Sequence, residues 1–154
     1  MEILKITDFM TADLISLDLK AKKKEDVLKE LVGIMSNSSN ILDEDKCYNA
    51  LLEREKLGST GIGKGVAIPH AKTEYAKGLT IGFGISKEGI DFESLDESET
   101  NIFFVFASPL KDSHKYLKIL ARISRLIRDI EFRKKLLEAT ESKEVMELIN
   151  QKEI

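Results

Sequence analysis

The run Ile102-Phe103-Phe104-Val105-Phe106 is apolar at every position. Successive strand residues point to opposite faces, so such a run has to be covered on both sides. It predicts a central strand of a sheet, and other elements must supply the two covers. The chain offers helices for this. Val27, Leu28, Leu31, Val32 and Met35 recur at helical spacing and predict a helix from Lys23 to about Asn37, ended by the polar turn Asn37-Ser38-Ser39-Asn40. Asp43 is a good N-cap for a second helix that turns Cys47, Leu51 and Leu52 inward, and Gly58 is placed to stop it. After the apolar run, Pro109 and the cap candidates Asp112 and Ser113 lead into a helix carrying Tyr116, Leu120, Ile123, Ile127 and Ile130 on one face. Two short helices follow, around Glu131 to Ala139 and Lys143 to Asn150.

Further strands are read from alternation. Leu79, Ile81, Phe83 and Ile85 alternate with Thr80, Gly82, Gly84 and Ser86, which predicts a strand buried on one face. Leu14-Ile15-Ser16-Leu17-Asp18-Leu19 partly alternates and reads as a first strand, and Val66-Ala67-Ile68 as a short one closed by Pro69. Helices and strands interleave, so the expected class is α/β, with helices on both sides of a small sheet. No repeat, linker or low-complexity segment divides residues 1–154, and one domain is expected, able to bury roughly two-thirds of its unfolded surface.

The charge balance excludes some functions. A net charge of −3 leaves no basic excess to neutralise phosphates, so no nucleic acid is expected as a partner. Lys22-Lys23-Lys24 and Arg133-Lys134-Lys135 are flanked by acidic residues and read as solvated helix faces. The single cysteine, Cys47, cannot form an internal disulfide and reads as a buried thiol. The longest apolar run is too short to insert into a membrane, and a cytoplasmic location is expected.

The loop Gly58-Ser-Thr-Gly-Ile-Gly-Lys-Gly65 nearly spells a phosphate-binding nucleotide loop. Gly65 stands where a magnesium-holding hydroxyl belongs, and the predicted order is helix–loop–strand instead of strand–loop–helix. The same flanks reject a dinucleotide fingerprint. The glycines have two remaining uses: tight turns, or backbone N–H groups brought close to an anion. Only two histidines occur. His70 follows the short strand, and Pro69, fixed in its own φ and restricting Ile68, sets the position of the imidazole; a neutral imidazole is a competent nucleophile near pH 7. His114 stands in the first turn of its predicted helix, where it can hydrogen-bond an anion or simply face solvent. If the strands preceding the two histidines run parallel side by side, both imidazoles reach the same end of the sheet. Two histidines with Cys47 and Asp112 lack the spacing of a metal site, and no cofactor is expected. No nucleophile elbow of a serine hydrolase occurs.

The stretch Glu55-x6-Ile62-Gly63-x2-Val66-Ala67-Ile68-Pro69-His70-Ala71 resembles the signature of enzyme IIA proteins of the fructose/mannitol/nitrogen type. These are components of the bacterial phosphoenolpyruvate-dependent phosphotransferase system. Leu51-Leu52-x-Arg54-Glu55, Gly58-Ser-Thr-Gly61 and His114 before a long helix extend the similarity over nearly the whole chain; Ala71 stands where many members have glycine. The resemblance implies a mixed sheet flanked by helices, a phosphohistidine at His70, and supporting roles for His114 and Arg54. It implies phospho-HPr as donor and an enzyme IIB domain as acceptor in sugar uptake of the fructose type. A nitrogen-type regulator that signals through protein binding is the alternative. Arg54 also suits a plain role as a cation at a helix C-terminus.

Overall fold

The computed structural model describes residues 4–153. Six strands form one mixed sheet: β1 (Ile15–Ser16), β2 (Gly61–Gly63), β3 (Val66–Ala67), β4 (His70–Lys72), β5 (Thr80–Ile90) and β6 (Thr100–Ser108). Their order is β1-β5-β6-β3-β2, and β4 also pairs with β6. β5 and β6 run antiparallel, whereas β3 and β4 both lie parallel to β6.

Helices α1 (Lys24–Met35) and α2 (Glu44–Lys56) cover one face of the sheet. Helices α3 (Ser113–Leu126), α4 (Ile130–Glu138) and α5 (Ser142–Lys152) cover the other. The uninterrupted apolar run of β6 explains both covers. Phe103, Val105 and Ala107 enter the core under α1 and α2, while Ile102, Phe104 and Phe106 enter the core under α3 to α5. The α/β class and the two-sided helical cover are as expected. Asp43 caps α2 by accepting from the Lys46 N–H at 3.0 Å. Cys47 is buried, and burial pushes its thiol up to about 11.

The reading of β5 needs correction: residues 80–86 are buried on both faces. Gly82 and Gly84 read as the open face only because they lack side chains. A Cβ at Gly82 would lie 2.9 Å from Met35 Cγ and 3.0 Å from Val105 Cγ1. One at Gly84 would lie 2.7 Å from Leu19 Cδ1 and 2.9 Å from Leu31 Cδ2. The glycines allow α1 to sit close on the sheet, a contact that alternation alone does not reveal. Valine has the higher strand propensity, yet Gly84→Val is expected to destabilise the fold by about 1–3 kcal/mol through overpacking. A lowered urea midpoint at unchanged slope would show it, and an unaltered or raised midpoint would contradict the close packing.

Other boundaries shift. The first strand is only Ile15–Ser16, entered from a single 3₁₀ turn over Ala12–Leu14. Asp112 precedes α3 but makes no side-chain capping bond. α3 ends at Leu126, so Ile130 starts the next helix and is exposed. Asp129 turns that corner, accepting from the Glu131 N–H at 2.9 Å and the Phe132 N–H at 3.4 Å. Lys24 departs from its expected solvated face: it is largely buried, pairs with Glu55 at 3.1 Å and lies over the Phe92 ring.

Candidate functional site

β3 and β4 pair with the same edge of β6, Val66–Ala67 against Ile102–Phe103 and His70–Lys72 against Phe106–Ser108. Pro69 lies between them and has no N–H to offer the ladder. The chain bridges the interruption with two other bonds: Ile68 N–H donates to Thr60 O at 3.0 Å, and Phe106 N–H donates to Pro69 O at 3.0 Å. His70 therefore does not trail from the end of a strand as expected. It opens a second short strand and is held in the ladder.

The imidazole of His70 stacks on Phe106, with centroids 5.5 Å apart and planes at 17°, and the tilted Tyr116 ring packs at 5.6 Å. The residue is only 8% exposed. Its Nδ1 lies 2.5 Å from Ile68 O. A carbonyl oxygen can only accept, so Nδ1 carries the proton and donates, leaving the lone pair on Nε2. Burial holds the imidazole below its usual pKa; the Ile68 carbonyl and Glu55 oppose the shift, while the Arg54 cation reinforces it. The neutral ring is thus favoured at neutral pH, with a lone pair in a fixed direction.

Arg54 comes from the last turn of α2. It is half-buried, and Nη1 donates to Gly58 O at 2.9 Å. Its charge is felt by both the His70 imidazole and the Tyr116 phenol. The neighbouring Glu55 is buried and accepts from Thr60 N–H at 3.1 Å, from Thr60 Oγ1 and from Lys24. Since Thr60 O receives the Ile68 N–H, Glu55 fixes the segment that supports the His70 strand.

The glycine loop forms a β-hairpin. β2 pairs antiparallel with β3, Gly61 N–H donates to Ser59 Oγ, and Lys64 N–H donates to Asp96 Oδ2. Gly63 has φ +91°, and a Cβ there would lie 2.7 Å from Asp96 Oδ2, so the glycine admits the loop that packs against the hairpin. The turn reading of the glycines is the one the structure supports.

The parallel arrangement needed to bring the histidine-bearing segments together is present, but the two imidazoles do not bond. His114 is exposed in the first turn of α3, and its imidazole makes no hydrogen bond among the described residues. The ring that α3 lays on His70 is that of Tyr116. The sequence reading placed Tyr116 in the apolar stripe and missed this contact, because membership of the buried face does not say which neighbour the ring meets. Lys72 was also missed, and its Nζ donates to Ser113 Oγ at 3.1 Å. A cleft of about 670 Å³, lined by residues including Lys24, Glu55, Ser59 and Glu93, does not include His70. No described helix is long and apolar enough to cross a membrane.

Residues 8–152 match the family described as the phosphoenolpyruvate-dependent sugar phosphotransferase system, EIIA 2. The fructose-specific EIIABC component of Bacillus subtilis is 39% identical over 96% of this chain, which spans only 23% of that longer protein. The fructose-specific EIIA component of Haloferax volcanii is 34% identical, with 97% of each chain covered. A nitrogen regulatory protein of Bradyrhizobium diazoefficiens is 37% identical over 85% of each. Among solved structures, nitrogen regulatory protein IIA-Ntr of Neisseria meningitidis superposes with a TM-score of 0.87 at 27% identity, covering 94% of this chain and 98% of that one. Enzyme IIA mannitol of Escherichia coli, solved in complex with phosphorylated enzyme IIB, shares the fold with a TM-score of 0.78 at 20% identity, covering 93% and 99%.

Proposed function

The chain belongs to the EIIA 2 family of the phosphoenolpyruvate-dependent sugar phosphotransferase system, and from that premise we propose that it is a fructose-type phosphocarrier using His70. It accepts a phosphoryl group from phospho-HPr and passes it to an enzyme IIB domain. The observation that carries this reading is the Nδ1–H···O=C bond to Ile68, which leaves Nε2 as the nucleophile of a neutral, immobilised ring. Nε2 attacks the donor's phosphohistidine in line. The new P–N bond forms as the donor's breaks, the electron pair returns to the donor imidazole, and Nδ1 keeps its proton. Arg54 stabilises the charge spread over the phosphoryl oxygens, and His114, free in its helix turn, adds a donor when a partner docks.

Exposed apolar side chains support a protein partner. Leu57, Leu110 and Leu117 stand on segments adjoining Arg54, the end of β6 and Tyr116. Donor and acceptor must each bring a reacting atom to the same Nε2, so they use the same face in turn.

The test is a relay with purified components. Phosphoenolpyruvate, enzyme I and HPr are expected to add one phosphate that is labile in acid and stable in alkali, and a fructose-type enzyme IIB is expected to discharge it. Uptake without discharge to any enzyme IIB would favour the nitrogen-type regulator, the reading that the Bradyrhizobium and Neisseria similarities support. Failure of uptake would overturn both.

A further inference from the structure

We propose that Lys72 is a further catalytic cation of this transfer, its ammonium closing on an equatorial oxygen of the phosphoryl group at His70 Nε2. The proposal rests on the phosphocarrier reading above. His70 and Lys72 are residues i and i+2 of β4, so their side chains leave the same face of the strand. The register places them opposite Phe106 and Ser108 of β6. At that face Lys72 Nζ donates to Ser113 Oγ at 3.1 Å and lies 5.1 Å from the centre of the Tyr116 ring. The same Tyr116 ring packs 5.6 Å from the His70 ring. One aromatic side chain therefore separates the nucleophile from an ammonium.

Charge makes this arrangement informative. Both holders of Lys72, a hydroxyl and an aromatic face, are neutral, and among the described residues no carboxylate lies within 4.0 Å of its Nζ. Lys24 at the other side of Glu55 is neutralised by two carboxylates. Lys72 has no such carboxylate partner among the described residues and is exposed. The phosphoryl oxygens carry about two negative charges, and the ring, substituted at Nε2 while Nδ1 keeps its proton, carries one positive charge behind them. Arg54 can balance one of the negative charges, and the field of Glu55 at the imidazole acts in the opposite sense. A second unneutralised cation, beyond the Tyr116 ring, offsets that field. Ser113 and Tyr116 hold the ammonium loosely while the site is empty, and rotation about the outer torsions of the lysine delivers it to the phosphoryl oxygens. No bond to Lys72 forms or breaks.

The test compares wild type, Lys72→Met and Lys72→Arg, each phosphorylated through phosphoenolpyruvate, enzyme I and HPr. At saturating phospho-HPr, Lys72→Met is expected to be slower by roughly a hundredfold, with Lys72→Arg recovering most of the rate. A phosphorus NMR titration adds a readout that a docking or folding role would not move: the second ionisation of the phosphoryl group should shift to higher pH in Lys72→Met and not in Lys72→Arg. A raised KM with unchanged kcat and an unshifted titration would overturn the proposal and make Lys72 a docking residue. Failure of the wild type itself to take up phosphate would instead defeat the phosphocarrier reading.

Discussion

Replacing His70 by glutamine is expected to abolish phosphoryl uptake. Glutamine places its amide where Nε2 stands, between Phe106 and Tyr116, and gives up the Nδ1–H bond to Ile68 O. What it lacks is a basic nitrogen with a free lone pair. The loss of uptake is therefore chemical, and the unfolding free energy from urea denaturation should fall by no more than about 1–3 kcal/mol. Incubation with phosphoenolpyruvate, enzyme I and HPr followed by intact-mass measurement in alkali decides it. A variant still labelled in full would place the phosphate elsewhere, and His114 would be the first position to inspect.

Arg54→Ala is expected to slow transfer by about a hundredfold or more, since one charge-stabilising donor typically supplies about 2.7–4 kcal/mol. A second effect identifies the cause. The Arg54 cation helps to depress the imidazole pKa, so removing it lets that pKa rise. The nucleophile is the neutral ring, and the acid limb of the pH–rate profile should accordingly move to higher pH. Arg54→Lys keeps the charge and should hold the limb near its wild-type position while losing the fork geometry. His114→Ala should cost less than Arg54→Ala, because the His114 imidazole is exposed. Wild-type rates and an unmoved profile for Arg54→Ala would reduce the arginine to a helix-end cation held on Gly58 O.

Much of the architecture was legible because it is written in periodicity. The uninterrupted apolar run of β6 demanded two covers, and the helical repeats on either side of it supplied them. The errors lie where a residue's effect depends on a distant neighbour. Gly82 and Gly84 look like a solvent face until α1 is laid over them. Lys24 looks solvated until Glu55, from another helix, reaches it. At the site, His70, Arg54 and His114 were marked by motif and residue type, and Pro69 correctly signalled a constrained backbone. Tyr116 and Lys72 escaped notice because an aromatic in an apolar stripe and a lysine on a strand have ordinary explanations. Lys72 shares a face with His70 only because the chain re-enters the sheet as β4 after Pro69, and Tyr116 meets His70 only because α3 folds back over that strand.

The interrupted pairing on β6 has a consequence for signalling. His70 is anchored by ladder bonds through its own strand and, across Pro69, through the strand before it. The proposed phosphorylation at Nε2 would leave the Nδ1 contact and these backbone bonds in place, so the main chain would have little reason to rearrange. The modified and unmodified proteins would then present nearly the same contour and differ chiefly in electric potential, by about two negative charges on the phosphoryl oxygens set against one positive charge on the Nδ1-protonated ring. A partner that tells them apart has to read that potential. It does so over a distance set by the ionic atmosphere, about 8 Å at physiological salt, and discrimination should fade as salt is added even while the apolar contact persists.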